Sequence, residues 1–283
     1  MRPILSSCPP RKRRLAELTG ATGATAAATA WERRRPALRI VNYHSVPPRF
    51  AHEFAEQLRH LSRSWTFAAP CDLSGLLEGG VERPTLLFCF DDGLASTVQS
   101  AAPILEAVGA RAIFAVPAAW PDVPMQARAA WFQQHVYPVP TELHEQADDI
   151  AAPSWDDLKA LVARGHEVWS HGVDHVRLVE DLAPDVMHRE IVDSRRILEE
   201  RLETTVRGYC PPVGYSVSPR ARELIARTYE LAFGGRPSRV PVKGNAFRIP
   251  RSNIEASWPW PSVRFQLSPL GDAVSRVLEG VRS

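Results

Sequence analysis

The sequence predicts a parallel α/β chain folded as a single barrel-sized domain with tails. Three observations predict it. Apolar runs alternate along the chain with segments of helical spacing, the pattern of βα units. One run, Thr85–Phe90, is apolar throughout and reads as a strand buried on both faces, as in a parallel sheet. The chain has 283 residues, enough for one such domain and little more.

The elements follow in order. Leu38–Tyr43 is a first strand, ended by His44-Ser45-Val46-Pro47-Pro48. Phe50–Leu61 has helical spacing, Thr66-Phe67 is a short apolar pair, and Asp72–Leu77 a short helix. Thr85–Phe90 runs straight into Asp91-Asp92-Gly93, and a helix over Thr97–Ala107 stops at Gly109. Arg111–Val116 is the next strand. Pro117–Pro153 then breaks the rhythm, rich in proline with Trp120, Trp131, Phe132 and Tyr137, and reads equally as a substrate-facing cover or a packed surface excursion, partly helical near Ala127–Val136. Ser154 caps a helix reaching Arg164, with Asp157 at its third position, close to a capping box. His166–Ser170 is a strand, Pro184–Glu203 the longest helix, Thr205–Cys210 a strand, Pro219–Arg227 a helix and Glu230–Phe233 a strand. Ala246–Ile249 is the last strand, and Leu270–Val281 a short amphipathic helix.

Composition narrows the classes. With 45% hydrophobic and 23% charged residues, the chain is an ordinary globular protein, and a net charge of +2 argues against a dedicated nucleic-acid binder. Residues 1–36 hold eight Lys and Arg against Glu17 and Glu32, a net +6 that leaves −4 for the remainder. This basic tail is expected to be disordered, with peripheral contact to an anionic membrane as its other use. It lacks the apolar core of an export signal, so a cytoplasmic setting is expected. The expected division is a tail at 1–36, a barrel at 37–256 and an extension at 257–283. The four cysteines, Cys8, Cys71, Cys89 and Cys210, form no CxxC pair, which argues against a cysteine zinc site and suits a reducing compartment.

The chemistry-bearing residues sit at the ends of different strands. His44 follows the first, Asp91 and Asp92 the next long one, His171 and His175 another, Pro211-Pro212-Val213-Gly214-Tyr215 another, and Arg251 the last. In a parallel barrel all strand C-termini share one face, so these residues converge. Asp92-Gly93 alone also reads as an ordinary helix N-cap. With two histidines four residues apart, however, one Asp completes a three-ligand metal set with an open position.

Together these motifs resemble the polysaccharide deacetylases with a NodB-homology domain, carbohydrate esterase family four. The likeness spans about Leu38 to Glu255 and rests on Phe90-Asp91-Asp92-Gly93, Ser170–His175 and the proline-rich Tyr209–Gly214, with Ser154–Leu158, Gly165–Val168 and Arg248–Arg251 in support. It implies a distorted (β/α) barrel and a metal-dependent hydrolase that removes the N-acetyl group from an amino sugar in a glycan, a lipid-linked sugar or a related precursor. It implies Asp91 as general base and Asp92, His171 and His175 as ligands of a divalent metal, zinc by donor type. The backbone N–H of Val213 would form the oxyanion site, with Pro212 and Tyr215 beside the substrate. After His188 there is no histidine for the family's usual general acid. The chain is similar here to the circularly permuted branch, in which a Tyr-His pair on the first strand supplies it, and Tyr43-His44 matches. Many relatives carry arginine where Cys210 stands. Arg251 or Arg248 could supply that charge, and Arg251 is preferred. Two alternatives stay open: a non-catalytic carbohydrate-binding barrel, favoured if His44 points away or Asp91 is tied up in a buried ion pair, and a small-molecule amidase or deformylase on the same metal site.

Overall fold

The structure is a computed structural model that describes residues 8, 10–21, 36–136, 149–213 and 217–280. Nine strands form one sheet: β1 (Leu38–Tyr43), β2 (Thr66–Phe67), β3 (Thr85–Phe90), β4 (Ala112–Val116), β5 (Glu167–Ser170), β6 (Gly208–Tyr209), β7 (Leu231–Gly235), β8 (Ile249–Pro250) and β9 (Ser252–Asn253). Their order is β8-β7-β6-β5-β4-β3-β1-β9, with β2 on β3, and every named pair is parallel. The sheet curls into a nearly closed barrel. Its two edges are the two halves of one segment: Ile249–Pro250 pairs with β7, and Ser252–Asn253 pairs with β1. Arg251 stands at that seam.

Strand alternation builds two cores. Ile40, Leu87, Cys89, Ile113, Ala115, Trp169, Cys210, Phe233 and Ile249 pack together inside the barrel. Their neighbours Val41, Tyr43, Leu86, Phe88, Phe90, Phe114, Val168 and Tyr209 pack outward beneath the helices. Period-two alternation therefore continues the inward series into Asn42, Asp91, His171 and Arg251, which cap the barrel's interior at its C-terminal rim.

The helices are α1 (Pro10–Ala21), α2 (Ala51–Ser62), α3 (Leu73–Gly79), α4 (a π turn Thr97–Ala101 continuing as Ala102–Ala107), α5 (Arg128–His135), α6 (Trp155–Ala163), α7 (Pro184–His188, a π turn Arg189–Asp193, then Ser194–Leu202), α8 (Pro219–Thr228), α9 (Trp260–Gln266) and α10 (Pro269–Gly280). None is long and apolar enough to cross a membrane among the described residues.

Four expectations change. Part of the basic tail is helical: α1 packs on α9, with Ala16 buried and Lys12 Nζ donating to Gln266 Oε1 at 3.0 Å. A helix this short is marginal in water, so the tertiary contact decides its state; residues 22–35 lie outside the described residues. The strand expected at Thr205–Cys210 shortens to β6, because Val206 N–H is donated to the Glu199 carboxylate at 3.1 Å. The last strands lie at 249–253 rather than Ala246–Ile249, since closure of the barrel pairs the polar Ser252-Asn253 with β1. Finally, the C-terminal extension holds two helices and is tied to the barrel. Arg39 on β1 is fully buried and grips Asp272 of α10 through two bonds of 2.9 and 2.7 Å.

Gly208 shows how tightly the interior is filled, since a Cβ there would overlap the Trp169 ring. Gly208→Ala is expected to destabilise the fold by about 3 kcal/mol, the upper range for overpacking, read from the urea midpoint at unchanged m-value.

Candidate metal centre and active site

Two adjacent carboxylates leave β3 in different directions. Asp91 keeps the inward parity of the strand, and its N–H still bonds Tyr43 O at 2.9 Å. Asp92 turns away with φ 68°, a left-handed conformation that Asp tolerates better than most residues. This places its Oδ1 at 3.4 Å from both His171 Nε2 and His175 Nε2. All three side chains are buried.

The remaining ring nitrogens are committed to backbone. His171 Nδ1 meets Cys210 O at 2.6 Å, and His175 Nδ1 meets His135 O at 2.7 Å. A carbonyl only accepts, so each Nδ1 carries the proton. In the neutral rings both Nε2 lone pairs then face a carboxylate oxygen. Three acceptors converging in a buried place repel one another unless a proton or a metal ion sits among them. Tetrahedral zinc with ligands about 2.0–2.2 Å away separates its ligand atoms by roughly 3.3–3.6 Å, which matches the 3.4 Å seen here. The donor set therefore fits a divalent metal held by Asp92, His171 and His175. The carbonyl partners are the usual means of fixing ring tautomer and direction at such centres.

Asp91 is held apart from this set. Arg251 grips it with two bonds, Nη1 to Oδ1 at 2.6 Å and Nη2 to Oδ2 at 2.9 Å, while Asn42 Nδ2 donates to Oδ2 at 2.9 Å. Phe233 lies under the guanidinium, 4.4 Å from ring centroid to Cζ. Burial alone would raise the Asp91 pKa. Arg251 first, then His171, overcome that and hold its carboxyl well below the usual range.

His44 is paired on the far side of β1. Its Nδ1 lies 2.6 Å from Glu255 Oε1, and its N–H is donated to Glu255 Oε2 at 3.3 Å. Burial disfavours the charged ring, but Glu255, with smaller help from Asp92 and Asp91, raises the His44 pKa to about 10. On Glu255 burial pushes upward and His44 pulls back. Gln57 secures this corner by donating to the carbonyls of Glu255, Ala256 and Trp258 at 3.0, 3.0 and 2.8 Å.

A buried carboxylate shapes the histidine loop. Glu190, in the π turn of α7 and fully buried, accepts from the N–H groups of Val173, Asp174 and Val176 at 3.1, 3.0 and 3.1 Å. Gly172 makes this possible: its φ is +82°, and a Cβ would run into Glu190 Oε2.

The structure thus joins Asp91, Arg251, Asp92, His171 and His175 in one buried network, with His44 held at its side by Glu255. Arg248 is exposed and outside that network. Pro212 is buried, and Val213 is 55% exposed in a left-handed turn with φ 58°. Tyr215 lies outside the described residues. Asn42, Glu190, Glu255 and the His135 carbonyl were not anticipated. Strand parity, Leu38-Ile40-Asn42, could have pointed to Asn42. No local pattern marks Glu255 or Glu190.

The segment after Pro117 packs on both halves of the metal set. Trp120 is fully buried with Leu94 and Phe132, and its Nε1 donates to Gly93 O at 3.0 Å. Helix α5 brings the His135 carbonyl to His175. Residues 137–148, including Tyr137, lie outside the described residues.

Fold and donor set together define a parallel-barrel protein with a candidate metal centre at its strand ends. The polysaccharide deacetylase family model matches residues 78–231, more than half of the chain, and the chain belongs to that family. Among solved structures it is similar to the Streptococcus pyogenes deacetylase PplD in complex with acetate, at 19% identity and TM-score 0.63, covering 83% of this chain and 100% of that one. It is similar to IcaB from Ammonifex degensii at 23% identity and TM-score 0.62, covering 81% and 96%. The deacetylase domain of BpsB from Bordetella bronchiseptica matches at 16% identity and TM-score 0.60, covering 77% and 96%. At these identities the likeness is one of fold. No curated protein sequence matches the chain.

If Glu190 holds the ligand loop in shape, Glu190→Gln should weaken zinc binding about 10–100-fold, the range for residues behind metal ligands. Competition with a chromophoric chelator, well below the variant's melting temperature, checks this. A variant that melts earlier yet binds zinc as tightly as wild type would reduce Glu190 to a packing role.

Proposed function

We propose that this chain is a metal-dependent N-deacetylase acting on an N-acetylated amino sugar within a glycan or a lipid-linked glycan precursor. The observation that carries the reading is the division of labour between adjacent carboxylates: Asp92 faces two histidine nitrogens, while Asp91 is held by Arg251 outside that set. Asp92, His171 and His175 would hold the metal, with zinc the best match to one oxygen and two nitrogen donors. When bound, the ion supplies Lewis-acid polarisation of the acetamide carbonyl and acidifies water.

The residues then divide the proton traffic. Asp91 is the general base that takes a proton as water attacks the acetamide carbon. Arg251 and Asn42 keep its carboxylate charged and in one orientation. An amine leaves poorly as an anion, so the C–N bond breaks as His44 donates a proton to the nitrogen. Glu255 keeps that ring protonated until the amine needs it. The products are acetate and a free amino sugar. The Val213 N–H, on its exposed left-handed turn, is our candidate oxyanion donor. Pro212 shapes that turn, and Tyr215 follows it as a substrate contact.

A second reading has one observation behind it. Asp91 is engaged in a buried ion pair, as a binding barrel without catalysis would have it. The His44–Glu255 pair speaks for catalysis, because a carboxylate that keeps a histidine charged next to the centre has a ready use in leaving-group protonation.

Acetate release from N-acetylglucosamine oligomers and lipid-linked N-acetyl sugars separates the readings. Asp91→Asn and His44→Ala should each lose roughly 10²–10⁴-fold in kcat, the scale of general acid–base catalysis, with zinc content unchanged. Removing metal with a chelator should abolish turnover, and added Zn2+ should restore it. Metal-loaded wild type that binds these glycans without releasing acetate would establish the binding module instead.

A further inference from the structure

The proposed base has no lone pair to spare. A carboxylate offers about four acceptor sites, and on Asp91 four are filled. Oδ1 accepts from Arg251 Nη1 at 2.6 Å and from Cys210 Sγ at 3.2 Å, while Oδ2 accepts from Arg251 Nη2 and Asn42 Nδ2, both at 2.9 Å. Cys89 Sγ stands further off, at 3.7 Å from Oδ1. A general base must open one site for the proton it receives, so one donor has to let go.

The donors are unequal. Both Arg251 bonds are charge-assisted, and releasing either leaves a buried guanidinium partly unsatisfied. Asn42 is fixed by further contacts: its Oδ1 accepts from Arg251 Nη1 at 3.1 Å, and its Nδ2 also reaches Asn253 Oδ1 at 3.3 Å. Cys210 is fully buried, and a thiol is a weak donor whose bond costs least to break. Its placement also suits release. The Cys210 sulfur, an Asp91 carboxylate oxygen and a His171 ring nitrogen all lie within 4.8 Å of one another. The covered site therefore lies toward His171, whose Nδ1 is bonded to the Cys210 carbonyl. A carboxylate oxygen only accepts, so the sulfur 3.2 Å from it serves as the S–H donor.

We infer that Cys210 is a positioning residue for Asp91. Its S–H occupies the carboxylate site facing His171 at rest and yields that site to the proton of the attacking water. The inference rests on the reading of Asp91 as base. It explains why a thiol is useful at this position: Arg251 already orients the base, and a second strong donor would block it.

The test compares Cys210→Ser and Cys210→Ala in the full-length, zinc-loaded protein, with Asp91→Asn alongside. The readouts are kcat and KM for acetate release from N-acetylglucosamine oligomers or lipid-linked N-acetyl sugars, and zinc content. Serine, the better donor, should lower kcat roughly tenfold, the scale of one hydrogen bond, at unchanged KM and zinc content. Alanine, which offers Asp91 no donor, should keep more of the wild-type kcat than serine does. A purely structural cysteine predicts the opposite order, because alanine leaves the larger cavity. If Cys210→Ala does not fold, the fall or its absence in Cys210→Ser against wild type still decides. A serine variant as fast as wild type beside an inactive Asp91→Asn overturns this inference alone. Full activity in Asp91→Asn, or no turnover by wild type on either substrate class, removes the base reading and the inference with it.

Discussion

The buried pair between Arg251 and Asp91 is the interaction on which the rest of the site depends. Each charge would be costly to bury alone, and each is matched by the other through two bonds of 2.6 and 2.9 Å. Arg251 is also where the barrel closes, between a half-strand on β7 and a half-strand on β1. The same side chain thus joins the seam of the fold to the middle of the site. The arrangement needs Phe233 beneath the guanidinium and Asn42 beside it, both brought there by the inward parity of their strands.

From that anchor the two aspartates acquire separate chemistry. One step of backbone, with φ 68° at Asp92, turns the second carboxylate out of the strand's alternation and onto the histidines. His175 and Val213 take left-handed conformations as well, with φ 57° and 58°. Such strain in non-glycine residues lasts only where neighbours over-determine the backbone. Here Glu190 holds the N–H groups around His175, and Trp120 holds the carbonyl after Asp92.

Much of this was legible in the sequence because strand ends in a parallel barrel share a face. Thr85–Phe90 announced itself by its unbroken apolar run, and His171 and His175 by their spacing. Parity separates Arg251 from Arg248: Arg251 follows Ile249 into the interior, while Arg248 is exposed. Glu255 was invisible, since a glutamate near the chain's end means nothing until β9 sets it against His44. Glu190 sits within a long helix pattern where any glutamate reads as surface, and only the π turn and Gly172 reveal its use. Helix α1 was missed because its own propensity is insufficient without α9.

Asp92, rather than Asp91, is the carboxylate proposed to ligate the metal. Anomalous diffraction at the zinc edge, from crystals of the zinc-loaded protein, tests this assignment most directly. One peak is expected about 2.0–2.2 Å from Asp92 Oδ1 and the Nε2 atoms of His171 and His175, with Asp91 still on Arg251. A peak among Asp91, His171 and Cys210, the other donor set these side chains could form, would contradict it.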